Sequence, residues 1–198
     1  MFQTAEGVFV PFPQRIKEEY QRWPQAAAFH LSFEKLKPML LDFIALAEEP
    51  LFLVLELPLN QAEEKTLRKA DTDAFHKQVC YLDGQSRQQV LDILAEYGDI
   101  LLNDGISQFA VASHQTGDEF FIQKYKLIHL YSQELERYTA LLDKYGLRET
   151  TRLTTVWDTF SRESPGRVMR VSRGEQDIYS VYEALVAQGM YIAKVAEE

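Results

Sequence analysis

The side chains with the clearest potential for chemistry lie in one short polar stretch that ends at Glu119. A two-residue turn at Thr116-Gly117 would place His114 directly opposite Glu119 on neighbouring antiparallel strands, with their β-carbons about 5 Å apart. An imidazole held by a carboxylate is the arrangement of a general base, and it is also half of a metal site. The spacing therefore makes His114 and Glu119 the candidate catalytic residues.

The other parts of a catalytic centre are missing from this pattern. A metal ion would need a third and a fourth ligand, and none stands at a suggestive spacing, so no metal and no cofactor is predicted. A serine nucleophile would need a Gly-x-Ser-x-Gly turn, which the sequence lacks. Cys80, the single cysteine, lies in an apolar run that favours a buried thiol. The favoured interpretation is that His114 and Glu119 form a structural pair or part of a binding edge.

The chain has a formal net charge of −9, and its acidic excess is concentrated in one segment. Residues 42–99 contain twelve acidic and five basic side chains. Such a surface attracts a basic partner and repels the phosphate backbone of nucleic acids. Glu63 and Glu64, which stand side by side in this segment, are therefore candidate binding residues for a basic protein, and general nucleic-acid binding is not expected.

Residues 148–173 reverse the sign, with six arginines, no lysine and three acidic residues. Arginine suits bidentate contacts with carboxylates or phosphates. Arg162, Arg167 and Arg170 are thus candidates for binding a small anion or a nucleotide. Because no glycine-rich phosphate loop accompanies them, surface ion pairs are the alternative explanation.

Hydrophobic periodicity predicts three helices, each closed by a glycine, near residues 86–97, 133–145 and 175–188. Apolar runs between turn signals predict strands at 51–57, 78–82, 100–103, 106–113, 119–131, 153–160, 168–171 and 190–195. Asp104-Gly105 is the strongest signal for a hairpin turn. Together these elements predict a single α+β domain, residues 1–198, with helices packed on a mixed, largely antiparallel sheet. Residues 1–37 belong either to this domain or to a peripheral N-terminal segment.

A weak family resemblance accompanies these patterns. The stretch Leu101–Phe109, followed by Ser113-His114 and Gly117-Asp118-Glu119, resembles small uncharacterised bacterial cytosolic proteins. Trp157-Asp158-Thr159-Phe160 and Pro165-Gly166 add to the likeness. Some proteins of this size and charge are similar to immunity proteins, which neutralise secreted toxins. The resemblance spans residues 77–198 and implies no catalytic residue.

The leading hypothesis is a cytoplasmic binding protein, of the immunity type, that binds a basic protein partner. No secretory signal begins the sequence, and no stretch approaches the ~20 apolar residues of a membrane helix. The second hypothesis is a small hydrolase or transferase centred on His114. The third is an anion or nucleotide sensor that uses the arginines of residues 162–173. The oligomeric state is left open by the sequence.

Overall fold

The computed structural model describes residues 2–197, in which the chain forms thirteen β-strands and six α-helices. The strands are β1 (Val8–Phe9), β2 (Glu19–Trp23), β3 (Ala26–His30), β4 (Leu51–Pro58), β5 (His76–Gln85), β6 (Gln108–Ser113), β7 (Glu119–Ile122), β8 (Leu127–Tyr131), β9 (Arg148–Glu149), β10 (Arg167–Val168), β11 (Ser172–Arg173), β12 (Gln176–Asp177) and β13 (Tyr191–Glu197). The helices are α1 (Phe33–Leu46), α2 (Gln61–Leu67), α3 (Arg87–Glu96), α4 (Gly98–Asn103), α5 (Thr139–Lys144) and α6 (Ile178–Val186).

Nine of the described strands form one sheet, in the order β13-β5-β4-β6-β7-β8-β3-β2-β9. Neighbouring strands in it are antiparallel, apart from the short parallel pair β2 and β9. Two small ladders, β1 with β10 and β11 with β12, lie outside this sheet. The prediction of an α+β domain with a mixed, largely antiparallel sheet is confirmed.

The two faces of the sheet are covered very differently. Leu53 and Leu55 of β4 are fully buried in a core shared with α1, α3, α4, α5 and α6. Because side chains alternate along a strand, Phe52 and Glu56 of β4 point to the opposite face. Over β3 and β8 that second face is covered by Leu153. Over β4, β5, β6 and β7 the described residues leave it exposed, and this part is called the open face below.

The helices with local sequence signals occur where they were predicted. Ser86 and Gln89 form the reciprocal capping box that starts α3, and the helix α6 lies within the predicted range 175–188. The predicted range 133–145 holds a 3-10 turn at Leu135–Tyr138, which leads into α5. The apolar sides of the three predicted helices face the core: Tyr182 is half-buried, and the buried residues are Val90, Ile93, Leu94, Leu135, Leu142, Ile178 and Leu185.

The predicted strand at 100–103 is wrong, because these residues form α4. Asp104-Gly105 after it is not a hairpin turn. The Asp104 carboxylate is buried and accepts backbone N–H groups from Ile106, Ser107 and Val171, at 2.9 to 3.1 Å. A buried carboxylate needs such donors, so Asp104 anchors the chain after α4 instead of turning it at the surface.

Two further strand predictions need correction. The predicted strand 119–131 is divided into β7 and β8, because Tyr125 and Lys126 adopt left-handed backbone angles with φ of 57° and 59°. The predicted strand 153–160 contains a 3-10 turn at Val156–Thr159, capped by the side chains of Thr155 and Asp158.

The N-terminal residues are an integral part of the fold. Strands β2 and β3 pair within the main sheet, and Phe29 of β3 is fully buried. The described residues of this segment therefore contribute two strands to the main sheet. Among residues 2–197, no helix combines the length and the apolar character that crossing a bilayer requires.

Candidate functional site

A groove of about 300 Å³ lies on the open face of the sheet. Its floor is apolar, since Val54 and Val79 pack there against the buried Ala110. Aromatic side chains stand around this floor, together with two carboxylates and one lysine. The lining residues are Phe52, Val54, Glu56, Val79, Tyr81, Glu119, Phe121, Tyr131 and Lys194.

Strand register creates the groove. Tyr81, Val54, Ala110 and Phe121 stand directly opposite one another across four neighbouring strands. Directly opposed side chains on one face of a sheet are neighbours in space. The small Ala110 is fully buried at the centre of this row, and the larger Val54, Tyr81 and Phe121 line the groove.

Glu119 is the unusual residue of this groove. Ala112 stands opposite it on one side and Tyr131 on the other. The Glu119 carboxylate forms no hydrogen bond or ion pair with any residue in the described range 2–197. Desolvation by burial, and to a lesser extent the nearby Glu56 carboxylate, raise the pKa of Glu119. A partly buried carboxylate without a partner is costly, so this one is available to an incoming cation.

Glu56, the other carboxylate of the groove, provides the contrast. The Nζ of Lys77 donates a hydrogen bond to Glu56 at 2.5 Å, and the side-chain amide of Gln108 donates a second at 2.8 Å. The charge of Glu56 is thus compensated within the chain. Of the two acidic residues that line the groove, only Glu119 has no hydrogen-bond or ion-pair partner among residues 2–197.

His114 lies at the rim of the open face, and the predicted pairing with Glu119 is wrong. Ala112 stands opposite Glu119 instead, and the connection between β6 and β7 is wider than two residues. The hydroxyl of Ser113 accepts the backbone N–H groups of Gln115 and Thr116, which stabilises this wider turn. The prediction used a two-residue turn at Thr116-Gly117. The hydrogen bonds to Ser113 instead stabilise a longer connection between β6 and β7.

The carboxylate partner of His114 is Asp83 of β5. The Nε2 atom of His114 lies 3.1 Å from an Asp83 oxygen, and the hydroxyl of Tyr191 donates to the other oxygen at 2.6 Å. The imidazole also stacks on Phe52, with ring centroids 4.5 Å apart. The His114 and Tyr191 rings thus extend the aromatic wall that Phe52 and Tyr81 form in the groove.

The side chains best suited to act as nucleophiles beside His114 have other roles. The Ser113 hydroxyl donates a hydrogen bond to the Glu48 carbonyl oxygen at 2.6 Å. Cys80 lies in the core on the helix-covered face, where burial raises the pKa of its thiol to about 11. Among residues 2–197, no group of three or more His, Cys, Asp or Glu side chains is arranged to hold a metal ion.

The two acidic candidates, Glu63 and Glu64, lie outside the groove and have internal partners. Glu63 accepts the Asn60 backbone N–H as part of the capping box of α2. Glu64 is buried, accepts the backbone N–H of His76 and lies 3.1 Å from Nδ1 of the same residue. Glu64 borders a separate, wide hollow of about 870 Å³ beside α2.

The arginine candidates do not join the groove either. Arg170 forms an ion pair with Asp177 at 3.1 Å, as the surface-pair alternative predicts. Arg162 and Arg167 are exposed, and neither contributes to the lining of the groove. The structure therefore distributes these arginines over the surface around β10.

Sequence reasoning missed the aromatic residues of the groove. The continuous apolar run Leu51–Leu57 predicts a strand, but it does not show that Phe52 lies on the uncovered face of the sheet. Glu56 was the available signal, because a charged residue in an otherwise apolar strand indicates that one face meets solvent. The partners of Phe52 come from strands whose order the sequence does not specify, so the groove itself had no local signature.

The comparisons with known proteins identify no relative of this chain. No protein-family model matches the chain, and no curated protein or solved structure is significantly similar to it. The functional argument consequently depends on the geometry of the open face.

Proposed function

We propose that this chain is a binding protein that holds a basic segment of a protein partner in the groove of the open face. The observation that carries the proposal is the unpaired Glu119 carboxylate among aromatic rings. A lysine or arginine side chain supplies the missing positive charge, and the faces of Phe and Tyr rings attract the same cation. A basic partner therefore satisfies both features of the groove at once.

The charge of the whole chain supports a partner of this kind. A net charge of −9 steers a basic protein towards the surface and raises its association rate, in a way that salt weakens. The proposed site of action is the cytoplasm. In the form that the family resemblance implies, the partner is a basic toxin and the chain is its immunity protein.

The test uses fluorescently labelled peptide libraries in which the central residue is fixed as arginine, lysine or norleucine. We expect the two basic libraries to bind and the norleucine library to bind weakly. Glu119→Gln should weaken binding at least about tenfold, which corresponds to about 1.4 kcal/mol. Fluorescence anisotropy at low and at high salt gives the affinities.

Glu63→Gln is the matched control, because it removes one acidic charge from α2 and glutamine still caps that helix. Its affinity for the basic libraries should equal that of the wild type. If Glu63→Gln weakened binding and Glu119→Gln did not, the acidic α2 segment would be the interface and the groove would be excluded.

The stability of Glu119→Gln gives an independent readout. Because the pKa of Glu119 is raised in the folded state, ionisation of this carboxylate lowers the stability of the fold as the pH rises above the ordinary carboxyl range. The amide removes this charge, so the free energy of unfolding at neutral pH should increase in urea titrations. A decrease would mean that the carboxylate has a stabilising partner in the folded chain.

A hydrolase or transferase centred on His114 is the second candidate, favoured by the 3.1 Å contact between His114 and Asp83. A carboxylate that orients an imidazole is a feature of general bases. A panel of ester and phosphoester substrates tests this function directly. Turnover that is lost in both His114→Gln and Asp83→Asn would establish it, whereas equal rates in wild type and variants would exclude it.

A further inference from the structure

Aromatic residues stand on three sides of the Glu119 carboxylate in the groove. Phe52, Ala112, Glu119 and Tyr131 lie directly opposite one another on β4, β6, β7 and β8. Phe121 follows Glu119 by two residues on β7, so both side chains point to the open face. Glu119 therefore has one aromatic neighbour on its own strand, one on β8, and one on β4 beyond Ala112.

The spacing of the sheet brings these rings within reach of one cation. Neighbouring strands lie about 4.8 Å apart, so the backbone of Tyr131 is about 5 Å from that of Glu119, and the backbone of Phe52 is about 10 Å away on the other side. Phe121 is about 7 Å away along β7. Aromatic side chains reach across such separations on one face of a sheet. A cation that contacts the Glu119 carboxylate thus lies among three rings.

The groove is richer in ring faces than in free carboxylate acceptors. Lys77 and Gln108 both donate to Glu56, whereas Glu119 has no such donor among residues 2–197. An unmodified lysine ammonium has three N–H donors and is strongly hydrated. On entering the groove it would lose water from donors that the Glu119 carboxylate alone does not satisfy, which costs free energy.

We propose that the basic segment presents a methylated lysine to the groove, and that dimethyllysine fits the groove best. Methylation keeps the positive charge and replaces N–H donors by methyl groups. The single N–H that remains in dimethyllysine donates to the Glu119 carboxylate, while the methyl groups contact the rings, whose faces attract the charge. This inference rests on the proposed function, because it names the side chain that occupies the same groove.

The extent of the groove favours a protein segment over a free small cation. Its lining extends from Lys194 on β13 to Tyr131 on β8, across six neighbouring strands. A free quaternary ammonium such as choline would occupy only the part beside Glu119. A methylated lysine brings its aliphatic stem and the residues on either side of it, which can contact the remainder of the groove.

The peptide libraries described above test the inference when the central residue is lysine with no, one, two or three methyl groups. In fluorescence anisotropy with the full chain, the dimethyllysine library should bind at least about tenfold more tightly than the lysine library. The neutral carbon isostere of trimethyllysine should bind at least about tenfold more weakly than trimethyllysine, because it has the same shape without the charge. Choline should bind at least about tenfold more weakly than the dimethyllysine library, because it contacts less of the groove.

Two ring variants test the aromatic contribution. Phe121→Leu and Tyr131→Leu should each reduce the preference for dimethyllysine over lysine at least about threefold, because leucine remains apolar but has no ring face. Tyr131 is 36% exposed, so its replacement leaves the core intact. Phe9→Leu is the control, since Phe9 is 50% exposed on β1, outside the nine-stranded sheet.

The outcomes separate this inference from the proposed function. A lysine library that binds as tightly as every methylated library would overturn the inference and leave the proposed function standing. Failure of all the basic libraries to bind would overturn both. Choline that binds as tightly as the dimethyllysine library would overturn the assignment to a protein segment. A preference for dimethyllysine that persists unchanged in both ring variants would overturn the role of the rings.

Discussion

Two histidines of this chain occupy opposite kinds of environment. His30 is 1% exposed, and its Nε2 atom accepts the backbone N–H of Val156 at 3.2 Å. His114 lies at the rim of the open face and stacks on Phe52. His30 is the last residue of β3 and His114 directly follows β6, so position in the sequence alone does not distinguish them. The difference arises from the segment around Val156, which folds over His30 from a distant part of the chain.

Because His30 is buried, we expect the protein to lose stability in mild acid. Burial lowers the pKa of His30 from 6.5 to about 4, while Lys126, His129 and Asp158 are charged or titratable groups near it. Between these pH values the unfolded chain binds a proton that the folded chain does not bind. The free energy of unfolding should therefore be unaffected above pH 6.5 and fall by up to about 3 kcal/mol as the pH decreases to 4.

Urea titrations of the wild type and of His30→Gln across this pH range measure the effect. Glutamine can still accept the Val156 N–H but does not titrate, so the variant should show a shallower dependence on pH. Other carboxylates titrate in both proteins and cancel in the comparison. Equal pH dependences for the two proteins would contradict the prediction.

Close contact between three chain segments explains the glycines near α4. The Gly7 N–H donates to the Asn103 carbonyl, the Met169 N–H to the Gly7 carbonyl, and the Gly105 N–H to the Met169 carbonyl, at 2.8 to 2.9 Å. A β-carbon on Gly105 would lie 1.9 Å from the Gly7 carbonyl oxygen. Gly105 is therefore required for close approach, whereas the sequence interpretation assigned it to a turn.

Gly105→Ala should lower the free energy of unfolding by about 1–3 kcal/mol or more, because neighbouring backbone must move. Gly98→Ala is the control. A β-carbon on Gly98 meets nothing closer than 3.7 Å, and alanine favours the helix α4 that Gly98 begins. Chemical denaturation of both variants measures the difference, and a Gly105→Ala protein as stable as Gly98→Ala would refute the contact.

The elements that could be predicted are those with local signals. The capping box at Ser86 and Gln89 fixes the start of α3 from four consecutive residues. The division of β7 from β8 depends on left-handed backbone at Tyr125 and Lys126, where no glycine marks it. The turn after β6 depends on backbone N–H groups that donate to the hydroxyl of Ser113. These two features depend on specific contacts, which hydrophobic periodicity does not predict.

At the scale of the molecule, the class of fold was predictable and the order of strands was not. Apolar runs between turn signals, together with amphipathic helix patterns, suffice to predict an antiparallel sheet covered by helices. The pairing of β3 with β8 joins residues about a hundred positions apart, and local patterns do not encode it. The groove combines side chains from separate strands, so the candidate site was predictable only as the residues His114 and Glu119, not as a surface.

Burial predicts how stability is distributed over the molecule. In β4, Leu51, Leu53 and Leu55 are fully buried between two neighbouring strands, whereas nearly all residues from 61 to 75 are exposed. Amides of β4 and β6 should exchange only by global unfolding, and those of residues 61–75 should exchange earliest through local opening. Hydrogen exchange followed by mass spectrometry measures this order. Slow exchange in residues 61–75 would show that α2 is held more firmly than its burial indicates.

The contact of Gly7 with Met169 also has a consequence for biosynthesis. Val8 pairs with Val168, so the first strand has to wait for a partner that is made some 160 residues later. At typical translation speeds of about 5–20 residues per second, that delay is roughly 8–30 s. During it the nascent chain exposes Val8 and Val10, which are buried in the finished protein. A ribosome-associated chaperone that binds this apolar segment would release it when β10 emerges.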